Sequence, residues 1–329
     1  MKPFDNLTAT GRLRRLRQVA LAALEQYDLA VARVGALAVE TNTLFLVETA
    51  ADRYVLRINA PEQRTPLEIR SELAWLAALG RDTPLLVPRP IPARTGELML
   101  TVETAAIPQT RHCVLFSWVP GRMLGERIGP VTAQEMGSVL ARLHQHADSF
   151  RPPVPFSTTR LDTPWTFGYP AALNSDAPDP IWPDRRRRLV AEMGVRVQAL
   201  LDLLYATPED IRFLHIDFHP GNLKRHAGTL AVLDFDDSRW AHPIQDIGNA
   251  LFYLLDEPNY ARLRASFLSG YQRIRPAARL DPGQLDLCIA ARQLDLLSYV
   301  LAGDIMAPAD LASWLERVEQ RLRKLAEVA

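Results

Sequence analysis

Residues 215–222 read His215-Ile216-Asp217-Phe218-His219-Pro220-Gly221-Asn222, and a short polar stretch later the chain reads Leu233-Asp234-Phe235-Asp236-Asp237. These types at this spacing suit phosphoryl transfer. Asp217 can orient a hydroxyl and take its proton, while Asn222 and Asp234 offer one neutral and one charged oxygen to Mg²⁺, which keeps few protein ligands. A transition-metal site built from His215, Asp217 and His219 is the rival arrangement, since imidazole nitrogens suit zinc. It leaves Asn222 and Asp234 without a role.

Two short strands around Ala227-Gly228, a turn signal, would position the first set. Leu223-Lys224-Arg225 and Leu230 to Leu233 form the arms, and Asn222 and Asp234 lie equally far from Gly228. An antiparallel hairpin therefore predicts them side by side. Upstream, Arg53 to Ile58 reads as a strand in which Val55 and Arg57 share one face by two-residue alternation. A helix from about Pro66 to Leu79 follows, with Ile69, Leu73, Leu76 and Leu79 as its apolar stripe. Glu72 borders that stripe and is one candidate partner for Arg57; Glu68, a turn earlier, is the other. Gly35 to Val47 predicts a first hairpin whose loop, Val39 to Thr43, holds Asn42 but no glycine. Arg111 to Phe116 reads as a strand running into Ser117-Trp118-Val119-Pro120-Gly121.

In combination these segments resemble the aminoglycoside phosphotransferase and choline kinase group, small-molecule relatives of the protein kinases. The His-x-Asp with an Asn five residues after the Asp, then an Asp-rich segment beyond a hairpin, carries the resemblance, which spans roughly residues 20–305. It implies an α+β, bilobal protein-kinase-like fold, with a small β-rich N-lobe over 1–119 and a larger, mainly helical C-lobe over 120–329. It implies ATP and Mg²⁺ as cofactors, Asp217 as base, and Asn222 and Asp234 as metal ligands. Arg57 stands where protein kinases carry a lysine on the phosphates, and Glu72 matches the glutamate that pairs with it. Val55 would pack on the adenine, Asn42 would sit in the phosphate loop, and Phe116 would stand at the back of the pocket. The backbone of Ser117 and Val119 would bond the adenine edge. Asp246 matches an aspartate that braces the catalytic loop. Ile216 replaces an arginine that in protein kinases commonly reads activation-loop phosphorylation.

The continuous pattern from Arg53 through Arg292-Gln293-Leu294-Asp295 looks most like a bacterial branch that includes type II homoserine kinases and a stress-response serine/threonine kinase. The acceptor implied first is the hydroxyl of a small metabolite: an amino acid, amino alcohol, sugar or aminoglycoside-like molecule. A serine/threonine protein kinase and a nucleotide-binding pseudokinase are the other two readings. Arg292 and Asp295, one helical turn apart, suit a zwitterion or a plain surface ion pair.

Composition fits a cytoplasmic enzyme. The 329 residues exceed what one core usually serves, so two lobes are natural. Lys plus Arg and Asp plus Glu both total 38, a balance that gives no support to a nucleic-acid partner, which normally needs a basic face. The two cysteines, Cys113 and Cys288, read as buried free thiols. No stretch approaches a membrane span. Arg12 to Leu24 faintly resembles a secretory signal but reads as a helix of the mature protein. Residues 150–183, rich in Pro, Asp and aromatics, form a long excursion whose aromatics cap a pocket or tie the segment down. The charge run Arg185 to Arg188 opens a helix and predicts a solvated face. The chain leaves its oligomeric state open.

Overall fold

The computed structural model describes residues 3–328 apart from 5, 62, 126, 175–178 and 304; part of the long excursion thus lies outside the described residues. In chain order the elements are α1 (Ala9–Leu24), β1 (Arg33–Val39), β2 (Thr43–Glu48), β3 (Arg53–Ile58), α2 (Pro66–Asp82), β4 (Leu100–Val102) and β5 (Arg111–Ser117). Then follow β6 (Arg122–Met123), α3 (Pro130–Ser149), α4 (Asp184–Tyr205), β7 (Arg212–Leu214), β8 (Leu223–His226) and β9 (Thr229–Val232). The chain ends with β10 (Arg239–Ala241), α5 (Pro243–Phe252), α6 (Tyr260–Ile274), α7 (Pro282–Gly303) and α8 (Pro308–Val328). It divides into two compact units. One holds the residues up to Arg122 with Phe150–Thr158 and Lys224–Asp236; the other holds Met123–Ser149, Thr159–Leu223 and the chain from Asp237 on.

The first unit is built on an antiparallel sheet of order β1-β2-β3-β5-β4. Its strands carry bulky apolar and β-branched residues, which fit a pleated, half-buried surface. Helix α1 lays Val19, Ala20, Ala23 and Leu24 into a core with Phe45, Val47, Leu56 and Leu115, so the signal-like stretch is ordinary core-packing helix. Helix α2 starts at a capping box, in which Thr65 accepts from the Glu68 N–H and the Glu68 carboxylate accepts from the Thr65 N–H. Ile69, Leu73, Leu76 and Leu79 are buried as their spacing predicts, and Glu72 and Trp75 are buried with them. Strands β8 and β9 meet at Ala227 and Gly228, whose φ values of 47° and 83° are those of a tight hairpin turn.

The second unit is mainly helical. Helices α3 and α6 approach so closely that a Cβ on Gly137 would lie 1.9 Å from the Phe267 carbonyl oxygen, and Ser138 Oγ donates to the Gly270 carbonyl at 3.0 Å. Helices α5 and α7 meet at Gly248, where a Cβ would fall 2.6 Å from Cys288 Cβ. The charge run is not a uniformly solvated face. Arg186 is buried, and its Nε donates to Glu319 Oε2 at 3.0 Å, because α8 packs on α4 at that position. Cys113 and Cys288 are free and buried, and burial pushes the Cys113 thiol up to about 12. Among the described residues, no helix is long and apolar enough to cross a membrane.

Candidate active site

In the sheet unit, β3 and α2 bring Arg57 and Glu72 together. Arg57 Nη1 and Nη2 donate to the two Glu72 oxygens at 2.8 Å each, a bidentate pair, and both side chains are buried. Arg64 adds a third donor, Nη1 to Glu72 Oε2, at 2.6 Å. Burial works against the charge on Glu72, yet Arg57 and Arg64 together hold its carboxyl below the usual range. Glu68, the other candidate partner, is occupied as the helix cap. Arg57 also feels Asp234 and Asp236, and its guanidinium lies 5.1 Å from the centre of the Phe116 ring. Val55 is paired with Phe116 across the β3–β5 ladder.

At the end of β5, Ser117 N–H donates to the Arg89 carbonyl at 2.9 Å and its hydroxyl accepts from the Arg89 N–H at 3.0 Å. Lys224 Nζ donates to the Val119 carbonyl at 2.9 Å and lies 4.1 Å from the centre of the Trp118 ring, so β8 props the segment that carries Ser117 and Val119. Asn42, in the β1–β2 loop, accepts from the Ala60 N–H at 3.1 Å and donates to Asp236 Oδ2 at 2.7 Å. Asp234 sits at φ 61°, in the left-handed region, which aspartate enters more readily than most side chains.

In the helical unit, the loop from His215 to Asn222 is held just as firmly. Ile216 has φ 64°, a costly conformation for a β-branched residue. Two side chains of α5 pin it: Asp246 Oδ1 accepts the Ile216 N–H at 3.0 Å, and Asn249 Nδ2 donates to the Ile216 carbonyl. Asp246 is fixed in turn by buried His144, whose Nε2 lies 3.0 Å from Asp246 Oδ2 and whose Nδ1 lies 2.7 Å from the Tyr271 hydroxyl. A strained residue braced from a neighbouring helix aims the next side chain, Asp217.

Asp217 is surrounded by donors. Asn222 Nδ2 lies 2.8 Å from Oδ2 and also reaches the Asp217 carbonyl at 3.0 Å, which turns the amide oxygen of Asn222 away. His219 Nδ1 accepts the Gly221 N–H at 3.0 Å, so its Nε2 carries the proton and faces Asp217 Oδ2 at 3.3 Å. On Oδ1, Arg292 Nη2 donates at 2.7 Å and the Tyr253 hydroxyl at 3.2 Å. Burial opposes the charge on Asp217, but the His219 hydrogen bond and the Arg292 charge overcome it and keep the carboxyl below its usual range. Arg292 Nη1 bonds Asp295 Oδ2 at 3.1 Å, and both side chains are nearly buried, so this pair is part of the site's interior and not a surface ion pair.

Asn222 and Asp234 each carry an oxygen of the kind Mg²⁺ takes. A neutral amide oxygen directed away from Asp217 and a carboxylate in the segment after the hairpin are hard oxygen donors. Among the described residues, no cluster of three or more His, Cys, Asp or Glu side chains forms a metal cage. Sequence reasoning missed Arg64, Asn249 and Tyr253. Asn249 had a signal, because it lies one turn after Asp246 on the same helix face. Arg64 and Tyr253 carried none.

The model of the phosphotransferase enzyme family matches residues 36–281. The chain belongs to that family. A Synechocystis sp. relative, itself uncharacterized, is 32% identical over 257 residues, or 74% of this chain and 65% of the relative's length. Two solved phosphotransferase-fold structures are similar over nearly the whole chain. A microcompartment-associated aminopropanol kinase has a TM-score of 0.75 at 24% identity, covering 94% of this chain and 96% of its own. An amicoumacin kinase in complex with AMP-PNP and Ca²⁺ has a TM-score of 0.76 at 20% identity, covering 96% of each chain. The fold of the family member described here is therefore the expected α+β arrangement, with an antiparallel sheet early and helices late in the chain.

Proposed function

We propose that this chain is a cytoplasmic ATP- and Mg²⁺-dependent phosphotransferase that moves the γ-phosphoryl group to a hydroxyl of a small metabolite. The observation that carries the reading is Asp217, an ionised carboxylate aimed by a strained, doubly braced residue and followed by Asn222 with its amide oxygen turned outward. Arg57, oriented by Glu72, grips phosphate oxygens; a guanidinium is permanently charged and can hold two at once. Val55 and Phe116 flank the adenine, whose edge meets the backbone of Ser117 and Val119. Asn42 fixes the phosphate loop against Asp236. Asn222 and Asp234 would each offer an oxygen to Mg²⁺, which would supply charge neutralisation for the phosphates. Asp217 aligns the acceptor hydroxyl and receives its proton late, and its depressed pKa suits that role, because a loose transition state asks for little basicity.

The aminopropanol kinase and the amicoumacin kinase are named for small-molecule acceptors, and their resemblance to this chain favours an acceptor of that size over a protein. The test is Mg²⁺-dependent ADP release from ATP and GTP across homoserine, choline, ethanolamine, aminopropanol, sugars, aminoglycosides and a generic protein, with Asp217→Asn as blank. Release above the blank with one small molecule, and a phosphorylated product by mass, is the expected outcome. Stimulation by the protein alone would replace this reading with a protein kinase. Nucleotide binding without turnover on any acceptor would replace it with a pseudokinase.

A further inference from the structure

Asp217 has no vacant hydrogen-bonding position. Oδ2 faces Asn222 and His219, and Oδ1 faces Arg292 and Tyr253. An acceptor hydroxyl that is to donate to Asp217 must therefore evict one of the four. Asn222 is tied to Asp217 twice, through side chain and carbonyl. Arg292 is charge-assisted, nearly buried and anchored by Asp295. His219 makes the longest of the four contacts, 3.3 Å, but its ring is fixed by the Gly221 N–H, and the oxygen it faces stays engaged by Asn222. Tyr253 is the neutral donor on Oδ1, its bond is 0.5 Å longer than that of Arg292 on the same oxygen (3.2 against 2.7 Å), and it is itself a hydroxyl. Its oxygen accepts from Arg292 Nη2 at 2.6 Å while its proton points to Asp217, the pair of bonds an alcohol in that place would make.

We infer that Tyr253 is a specificity-determining residue that holds the acceptor hydroxyl's place on Asp217 and denies that place to water until an acceptor displaces it. The inference rests on the phosphotransferase reading above. The side chain is well placed for the role. Tyr253 caps the C-terminus of α5 and is half-buried; its ring stacks on His219 at 4.2 Å and 25°, meets the Phe252 ring edge-on at 5.3 Å and lies 5.6 Å from the Arg292 guanidinium. The residue lies at the helix end, so a change of side-chain rotamer takes the hydroxyl off Asp217 without unfolding the helix. Burial, countered in part by Arg292, pushes the Tyr253 hydroxyl up to about 12, so it stays a proton donor at neutral pH.

The reaction held back is hydrolysis. A water oxygen bonds to the γ-phosphorus, the bond from that phosphorus to the bridging oxygen of ADP breaks, and the water proton passes to Asp217 and on to the released phosphate. Tyrosine in the water's place removes the nucleophile; an alcohol that binds well enough to move the ring restores one. Arg292 then donates to the alcohol oxygen as it now donates to the phenol, which fixes the angle of approach.

The experiment needs no acceptor. Full-length protein and the variants Tyr253→Phe, Tyr253→Met, Asp217→Asn and the Asp217→Asn/Tyr253→Phe double are given Mg·ATP alone. ADP release, Mg·ATP affinity and thermal midpoint are measured for each. The expected result is a rise of about tenfold in acceptor-independent ADP release for Tyr253→Phe, of the order that one lost hydrogen bond allows, abolished in the double variant. Tyr253→Met should show the same rise, so one poorly folded variant does not decide the matter. Release at or below the parent level in both folded variants, with Mg·ATP still bound, overturns the inference and leaves Tyr253 a prop for Arg292. Phosphate found on Tyr253 by mass also overturns it, because the residue would then be an acceptor and not a guard. Failure of every variant and the parent to bind Mg·ATP removes the phosphotransferase reading and the inference with it.

Discussion

Arg57 and Glu72 face each other through two parallel hydrogen bonds of 2.8 Å, and Arg64 closes on the same carboxylate. Removing one side of a buried pair strands the other, which costs about 3–5 kcal/mol. Glu72→Gln should therefore lower stability by that order in chemical denaturation. The pH dependence has a definite sign. The folded-state pKa of Glu72 is depressed, so its contribution is complete above the ordinary carboxylate value and is lost as pH falls through the lower folded value. The gap in thermal midpoint between parent and Glu72→Gln should be constant at neutral pH and narrow only below about pH 4. A gap that widened on acidification would remove the ion pair from the explanation.

Asp217→Asn keeps the shape of the side chain but cannot take a proton. Turnover should fall by about 10²- to 10⁴-fold, the span of a lost general base, while Mg·ATP affinity stays near that of the parent. Steady-state ADP release with an active acceptor, paired with equilibrium nucleotide binding, checks both halves. An unchanged catalytic rate would sink the assignment of Asp217.

Much of this arrangement is legible in the chain because it is local. The hairpin around Ala227-Gly228, the strand from Arg53 and the stripe of α2 follow from alternation, helical spacing and turn chemistry within a few residues. Glu72 against Glu68 was open from spacing alone, and the capping box resolves it by engaging Glu68 with Thr65. The contacts around Asp217 were not legible. Tyr253 lies 36 residues and Arg292 75 residues along the chain from it, so neither periodicity nor motif spacing reports them. Arg186 misled for the same reason, because the buried carboxylate that receives it lies 133 residues away on α8.

Arg292 serves three partners: Asp217, Tyr253 and Asp295. Arg292→Met would leave two nearly buried carboxylates without their shared cation and should destabilise the protein by about 3–5 kcal/mol. Arg292→Lys restores the charge but lacks the planar fork, so it should recover stability better than catalytic rate. Denaturation midpoints and kcat measured on the two variants separate those effects. Equal recovery of both by lysine would show that charge alone is needed.

Gly248 sets how closely α5 meets α7, and through them how Asp246 and Asn249 on one helix and Arg292 on the other converge on the loop of Asp217. A methyl group there would lie 2.6 Å from Cys288 Cβ and 2.8 Å from its carbonyl carbon, and neither is the end of a flexible side chain. The helices must part to admit it. Gly248→Ala should cost about 1–3 kcal/mol by overpacking and lower kcat as well, since Arg292 lies one turn along α7 from Cys288. Gly35→Ala is the matched control, for an added Cβ there meets nothing within 4 Å. It should change stability by no more than about 0.5 kcal/mol, as surface substitutions usually do. Equal losses in the two variants would mean that close approach at Gly248 does not position the site.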